Sequence, residues 1–133
     1  MRQIISTKKG PNAIGPYSQA VRGGQFIFVS GQISLDPATQ KIIDGDIRRQ
    51  TERVLQNIAG ILEAGGSSMN KVVRCVVYLK NMSDFEAMNK VYGKIFAAPL
   101  PARTTIEVAR LPKDRLVMIE ATALVKRNRI AAR

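Results

Sequence analysis

The residues best equipped for chemistry sit in two neighbouring stretches, Ala102-Arg103-Thr104-Thr105-Ile106-Glu107 and Ile119-Glu120-Ala121-Thr122. Side chains alternate between the faces of a strand. If Thr104, Ile106 and Val108 face a helical layer, then Arg103, Thr105 and Glu107 turn to the opposite face, where Glu120 and Thr122 of the next strand also fall. An arginine and a carboxylate on a covered surface need partners, because each desolvated charge costs several kcal/mol unless compensated, roughly in the range known for buried ions. Two readings account for them. One is a salt bridge between subunits. The other is a pocket in which the flat guanidinium holds a substrate carboxylate through two parallel bonds while Glu120 orients a water.

Two further segments are candidates. Gly15-Pro16-Tyr17 fixes a bend and presents Tyr17, a proton donor on an aromatic body, unless that ring simply packs. Ser30-Gly31 ends an apolar run, and a residue without a Cβ lets a ligand approach the backbone; a plain strand end is the alternative.

The elements that must position these groups are legible from periodicity. Ile47, Val54, Leu55, Ile58, Ile61 and Leu62 recur at helical spacing in residues 46–64, with Asp44 or Asp46 as cap and Gly65-Gly66 as terminator. A second helix carries Phe85, Met88, Tyr92, Ile95 and Phe96, with Asn89 beside the stripe. Ser83 and Glu86 have the spacing of a capping box at its start, and Pro99-Leu100-Pro101 follows its end. Strands are expected at 17–22 and 25–30, joined by a Gly23-Gly24 hairpin turn, and at 71–80, 103–109 and 115–125, with a short one near 3–6. Val73, Cys75, Val77 and Leu79 form one apolar face of the third long strand, and Val117, Ile119, Ala121, Ala123 and Val125 one face of the last. Two helices cover one side of such a sheet. The other side, which still carries Val72, Val76, Tyr78, Leu116 and Met118, implies cover by another subunit.

Composition narrows the chemistry. The 133 residues contain 21 Lys+Arg against 10 Asp+Glu, a net charge of +11, with one cysteine, Cys75, and no histidine. Triads built on imidazole and His-ligated zinc are excluded, and one thiol cannot supply a disulfide or a four-thiolate cluster within the chain. The N-terminus reaches Lys8 and Lys9 before any long apolar stretch, and nothing approaches the roughly 18 apolar residues of a membrane span. A cytoplasmic location without membrane contact is expected. Residues 1–125 read as one domain, with 126–133 a basic tail that attracts polyanions.

The segments GPYSQA at 15–20, VSGQ at 29–32, PARTTIEVARLPKD at 101–114 and IEATA at 119–123 resemble the RidA (YjgF) family of reactive-intermediate deaminases across nearly the whole chain. The resemblance implies an α+β, chorismate-mutase-like subunit, a mixed sheet with two helices packed on one face, assembled as a homotrimer with sites in the intersubunit clefts. It implies hydrolysis of 2-enamine and 2-imine acids, such as 2-aminoacrylate, 2-iminopropionate and 2-iminobutyrate, to 2-keto acids and ammonia. The imines would come from pyridoxal-phosphate-dependent dehydratases, and the family requires no cofactor or metal. Carried over by position, Arg103 binds the carboxylate, Glu120 positions or activates the water, and Tyr17, Ser30, Gly31, Asn89 and Thr105 line the cleft. Thr105 stands where many members have Cys, which argues against an essential thiol and for backbone groups at that position.

Two other functions compete. The charge of +11, with some relatives described as translation inhibitors with ribonuclease activity, suggests an RNA-binding or RNA-cleaving protein, although three Tyr and four Phe offer little for base stacking. A chaperone-like role of the cationic surface is the other. Binding to RNA, measured over a salt series, is expected to weaken steeply with salt and with deletion of residues 126–133. Salt-insensitive, sequence-selective retention would instead favour RNA as the ligand.

Overall fold

A computed structural model describes residues 2–126, so of the basic tail only Lys126 is included and 127–133 lie outside the described residues. The alternating and helical patterns resolve into strands β1 (Arg2–Ile5), β2 (Ala20–Gly23) and β3 (Phe26–Gln32), helix α1 (Ile47–Ala64), strand β4 (Val72–Leu79), helix α2 (Phe85–Ile95), and strands β5 (Ala102–Glu107) and β6 (Val117–Leu124). They form one mixed sheet in the order β1-β2-β3-β6-β4-β5. All neighbours are antiparallel except β4 and β5, which run parallel because α2 carries the chain back between them. Both helices lie on one face, giving the expected α+β architecture.

The core between helices and sheet follows the periodicity closely. Val54, Leu55, Ile58, Ile61 and Leu62 of α1 and Met88 and Tyr92 of α2 pack with Cys75, Val77, Leu79, Val117, Ile119, Ala121 and Ala123. Each fully buried aliphatic side chain contributes about 1.5–3 kcal/mol. Asp46, rather than Asp44, caps α1 by accepting from the Arg49 N–H at 3.1 Å. Gly66, at φ +82°, carries the chain away from the helix end.

Three expectations need correction. Val73 does not share a face with Cys75: a bulge between Val72 and Arg74 buries Val72 and leaves Val73 37% exposed. The Ser83/Glu86 capping box gives way to a 3-10 turn over Met82–Asp84, with Asp84 at the cap position of α2 making no side-chain cap bond. That turn is anchored from β5, where the Glu107 carboxylate accepts from the Met82 N–H at 2.8 Å. Finally, β2 begins at Ala20, and the segment before it is a loop pinned by one buried side chain. Gln19 accepts from the Thr7 N–H at 2.7 Å and donates to the carbonyls of Thr7, Gly10 and Pro11.

Other buried polar side chains do similar work unannounced by any pattern. Arg115 precedes β6, where it donates to the Ile43 and Lys113 carbonyls and pairs with Asp44 at 3.2 Å. Asn57, fully buried on α1, donates to the Leu35 carbonyl at 2.9 Å and accepts from Arg53. Replacing it by leucine leaves that carbonyl buried and unpaired. The expected destabilisation in urea unfolding, at fixed protein concentration, is about 2 kcal/mol; an unchanged midpoint would show that water substitutes for the amide.

Candidate functional site

The parallel register of β4 and β5 decides where the arginine goes. Cys75 lies opposite Arg103 and Val77 opposite Thr105. Paired residues on adjacent strands share a face, and Cys75 and Val77 are buried beneath the helices. Arg103, Thr105 and Glu107 therefore point to the helical side, whereas Thr104 and Ile106 take the open side. The expectation that Arg103 and Glu120 share a face of one subunit is overturned: Glu120 lies opposite Val76, on the open side. Apolar alternation misassigned β5 because it is an edge strand whose Ile106 is exposed.

On the helical side, Arg103 is held by residues of α2. Its Nη1 donates to Asn89 Oδ1 at 2.7 Å, and its guanidinium carbon stands 4.7 Å from the Tyr92 ring centre and 5.5 Å from that of Phe85. Aromatic faces attract a cation without neutralising it. Arg103 makes no ion pair among the described residues. Burial pushes the Cys75 thiol above its ordinary pKa despite the opposing effects of Tyr92 and Arg103, and burial, reinforced by Cys75, pushes the Tyr92 phenol well above its own. Neither becomes an anion near neutral pH, so neither offsets the cation beside it. The Thr105 hydroxyl is buried there with no hydrogen-bond partner among the described residues.

The other candidates gather elsewhere. Between Val29, opposite Ala121, and Gln32, opposite Ile119, β3 fits Ser30 and Gly31 against the single residue Glu120. Ser30-Gly31 is thus a bulge inside β3 rather than the end of a strand. The Ser30 hydroxyl donates to the Ser18 carbonyl at 2.7 Å, which ties it to the loop rather than leaving it for a ligand. A Cβ on Gly31 would stand 2.9 Å from Met118 Sδ. Gly31 and Tyr17 line a cleft of about 300 Å³ together with Ile14, Ile33, Met118 and Lys113. Tyr17 is 48% exposed, and its hydroxyl accepts from the Ile14 N–H at 3.1 Å, so its own proton is free to be donated. Glu120 is half-buried beside this bulge and accepts a hydrogen bond from the Tyr78 hydroxyl.

The seven candidates therefore form two groups on opposite sides of the sheet: Arg103, Asn89 and Thr105 under α2, and Tyr17, Ser30, Gly31 and Glu120 at the bulge and cleft. Sequence reasoning missed Lys113, which lines the cleft at φ +55°, followed by Asp114 at φ +53°. The Leu111-Pro112-Lys113-Asp114 turn carried the only signal. It also missed Tyr92 and Phe85 as supports of Arg103, having read them as core alone. Among the described residues no group of three or more Cys, Asp or Glu side chains is placed to hold a metal ion, and no helix is long and apolar enough to cross a membrane.

Comparison with known proteins bears on this arrangement. The family profile described as Endoribonuclease L-PSP matches residues 7–125. A RutC family protein of Pyrococcus horikoshii is 53% identical over 123 residues, covering 92% of this chain and 98% of that protein. The 2-iminobutanoate/2-iminopropanoate deaminase of Mus musculus is 43% identical over 124 residues, covering 93% and 92%. The crystal structure of E. coli TdcF with bound serine superposes with a TM-score of 0.89 at 38% identity, covering 93% of this chain and 99% of that one. With a fold, a length and a sequence shared along nearly the whole chain, the protein belongs to the Endoribonuclease L-PSP family, which is the YjgF/RidA family that its GPYSQA and PARTTIEVARLPKD segments resemble.

Proposed function

We propose that the protein is a hydrolytic deaminase of 2-imino and 2-enamino acids, such as 2-iminopropionate and 2-iminobutyrate, that works in clefts between the copies of a homotrimer. The observation that carries this reading is the Arg103 guanidinium, fixed by Asn89 and two aromatic rings yet without an acidic partner among the described residues. A small carboxylate can take two parallel charge-assisted bonds from such a group. The mouse relative is named for this activity, and the TdcF structure holds an amino acid, serine.

The chemistry asks little of the protein, which suits a chain with no histidine. Protonation of the imine nitrogen makes C2 electrophilic. Water then bonds to C2 as the C=N π pair moves to nitrogen, and Glu120 takes the proton that the water gives up. The resulting carbinolamine receives that proton on nitrogen, its C–N bond breaks to release ammonia, and loss of the hydroxyl proton leaves the 2-keto acid. Arg103 orients the substrate carboxylate, and fixed orientation supplies much of the acceleration. Tyr17 offers a free hydroxyl proton at the cleft, which Gly31 also lines.

A second copy completes the site. Arg103 and Glu120 lie on opposite sides of one sheet, so one substrate reaches both only if they come from different subunits. The open face supports such packing: Phe28 of β3 is 50% and Ile4 of β1 64% exposed, both in register with Val21 of the intervening β2, with Phe26 and Ile106 also exposed. Pyridoxal-phosphate-dependent dehydratases would supply the substrate.

A nuclease reading draws on the family description and on the charge of +11. The same preparation decides between them. Coupled to a serine or threonine dehydratase with semicarbazide as imine trap, wild type is expected to suppress the trapped product. Arg103→Ala should lower kcat/KM about a hundredfold or more while leaving the trimer mass intact. Equal rates would remove Arg103 from the site, and RNA cleavage without imine hydrolysis would favour the nuclease. Co-refolding the impaired Arg103→Ala and Glu120→Gln chains should restore part of the activity, because mixed assemblies contain clefts with both groups; no recovery would place the two groups in one subunit's site.

A further inference from the structure

Glu120 is held by a group that neither the reaction scheme nor the resemblance has used. On the antiparallel pair β4–β6, Glu120 lies opposite Val76 and Tyr78 opposite Met118, so Tyr78 and Glu120 are diagonal neighbours on the open face. Long side chains bridge that diagonal. The Tyr78 hydroxyl donates to Glu120 Oε1. We propose that Tyr78 is a positioning residue for catalysis, fixing one carboxylate oxygen of Glu120 so that Oε2 is left to receive the proton of the attacking water. The inference rests on the hydrolase reading above.

The surroundings leave Tyr78 as the side chain that performs this task. Facing Glu120 from β4 are Val76, which is apolar, and Tyr78; from β3 come Ser30, whose hydroxyl is committed to Ser18, and Gly31. On β6 itself the flanking residues of that face are Met118 and Thr122. The β5 residues on the same side, Thr104 and Ile106, carry no charge. Arg74, opposite Thr122, is the cation of this patch. A carboxylate with one oxygen fixed by a phenol loses rotational freedom before substrate arrives, and that freedom would otherwise be lost in the transition state. Consistent with the contact, the hydrogen bond to Glu120 raises the Tyr78 pKa above its ordinary value, helped by desolvation and the carboxylate's charge and opposed by Arg74.

Tyr78→Phe keeps the ring and removes only the hydroxyl. It is expected to lower kcat about tenfold, a loss of roughly 1.4 kcal/mol in barrier terms, with KM within about twofold of wild type and an unchanged melting temperature. In a Glu120→Gln background the same change should do nothing further, since the hydroxyl acts through that carboxylate. Independently of activity, tyrosine labelled at its ring carbons reports the contact. The Cζ resonance that vanishes in Tyr78→Phe should shift in Glu120→Gln, and its ionisation midpoint should fall toward the usual value of about 10. An unmoved resonance, an unchanged kcat, or an equal loss in both backgrounds each overturns the positioning role. A wild type that hydrolyses no imine overturns the proposed function and this role together, whereas an active wild type indifferent to Tyr78→Phe overturns this role alone.

Discussion

A guanidinium can be partly buried beside aromatic rings without being neutralised, and the candidate site depends on that. Arg103 stacks on Tyr92 and Phe85 and donates to an amide oxygen, all of them uncharged partners. Cation–π contacts of this kind contribute about 0.5–2 kcal/mol, enough to offset part of the desolvation. A carboxylate partner from the protein would have stabilised the cation more and left nothing for a ligand. The neutrality of Cys75 and Tyr92, both pushed upward by burial, preserves the same condition from beneath. The fold thus holds a full positive charge in fixed geometry, with donors still unspent, which is the form of preorganisation that favours an anion over water.

That placement is a consequence of topology. Because α2 returns the chain between β4 and β5, the two strands are parallel, and their register sets Arg103 beside Cys75 beneath the same helix that supplies Asn89, Phe85 and Tyr92. The other half of the candidate site arises from a local irregularity. Two residues of β3 oppose Glu120, so the strand bends where Gly31 makes room for the Met118 side chain and Ser30 fastens the 15–19 loop. One face of the sheet is spent on the core. The opposite face retains Phe28, Ile4 and Glu120, a mixture suited to a protein neighbour rather than to water.

How far the sequence revealed this depended on whether a pattern had one inside or two. In β6, small and branched apolar residues alternate with mixed ones, and the buried face was legible at every position from Val117 to Ala123. In α1 the same held for the apolar stripe, whereas the cap was narrowed only to Asp44 or Asp46, of which the structure uses Asp46. β5 offered Thr104 and Ile106 against Arg103 and Thr105, and the more apolar set was assigned to the core. At a sheet edge, however, hydrophobicity does not settle the phase, since the outer side is also apolar. The bulge at Val72–Arg74 shifted β4 by one residue for a related reason: alternation cannot register an extra residue until the partner strand is known. Asn89 was visible as a polar residue beside an apolar stripe, whereas the buried amides of Gln19 and Asn57 carried no periodic mark at all.

The lack of histidine raises the question of what moves protons near neutral pH. Tyr92 and Cys75 are held in their neutral forms by burial and serve as scaffold. Lys113 lines the cleft but belongs to a turn whose carbonyl is tied to Arg115, which fixes its backbone. Glu120 is the carboxylate that the sheet places beside the Ser30-Gly31 bulge, and Tyr17 is the phenol whose proton is not already donated within the loop. An iminium ion is electrophilic without help from a metal or a strong nucleophile, so one base and one donor at the cleft are sufficient on the hydrolase reading. Cleavage of RNA demands more: a base for the attacking hydroxyl, an acid for the departing one, and stacking surfaces to hold the strand. The exposed aromatic residues on the open face, Phe26 and Phe28, occupy the surface that a second copy would cover. On that reading the ligand is a small anion held by its carboxylate, and the unspent donors of Arg103 are the groups that would hold it.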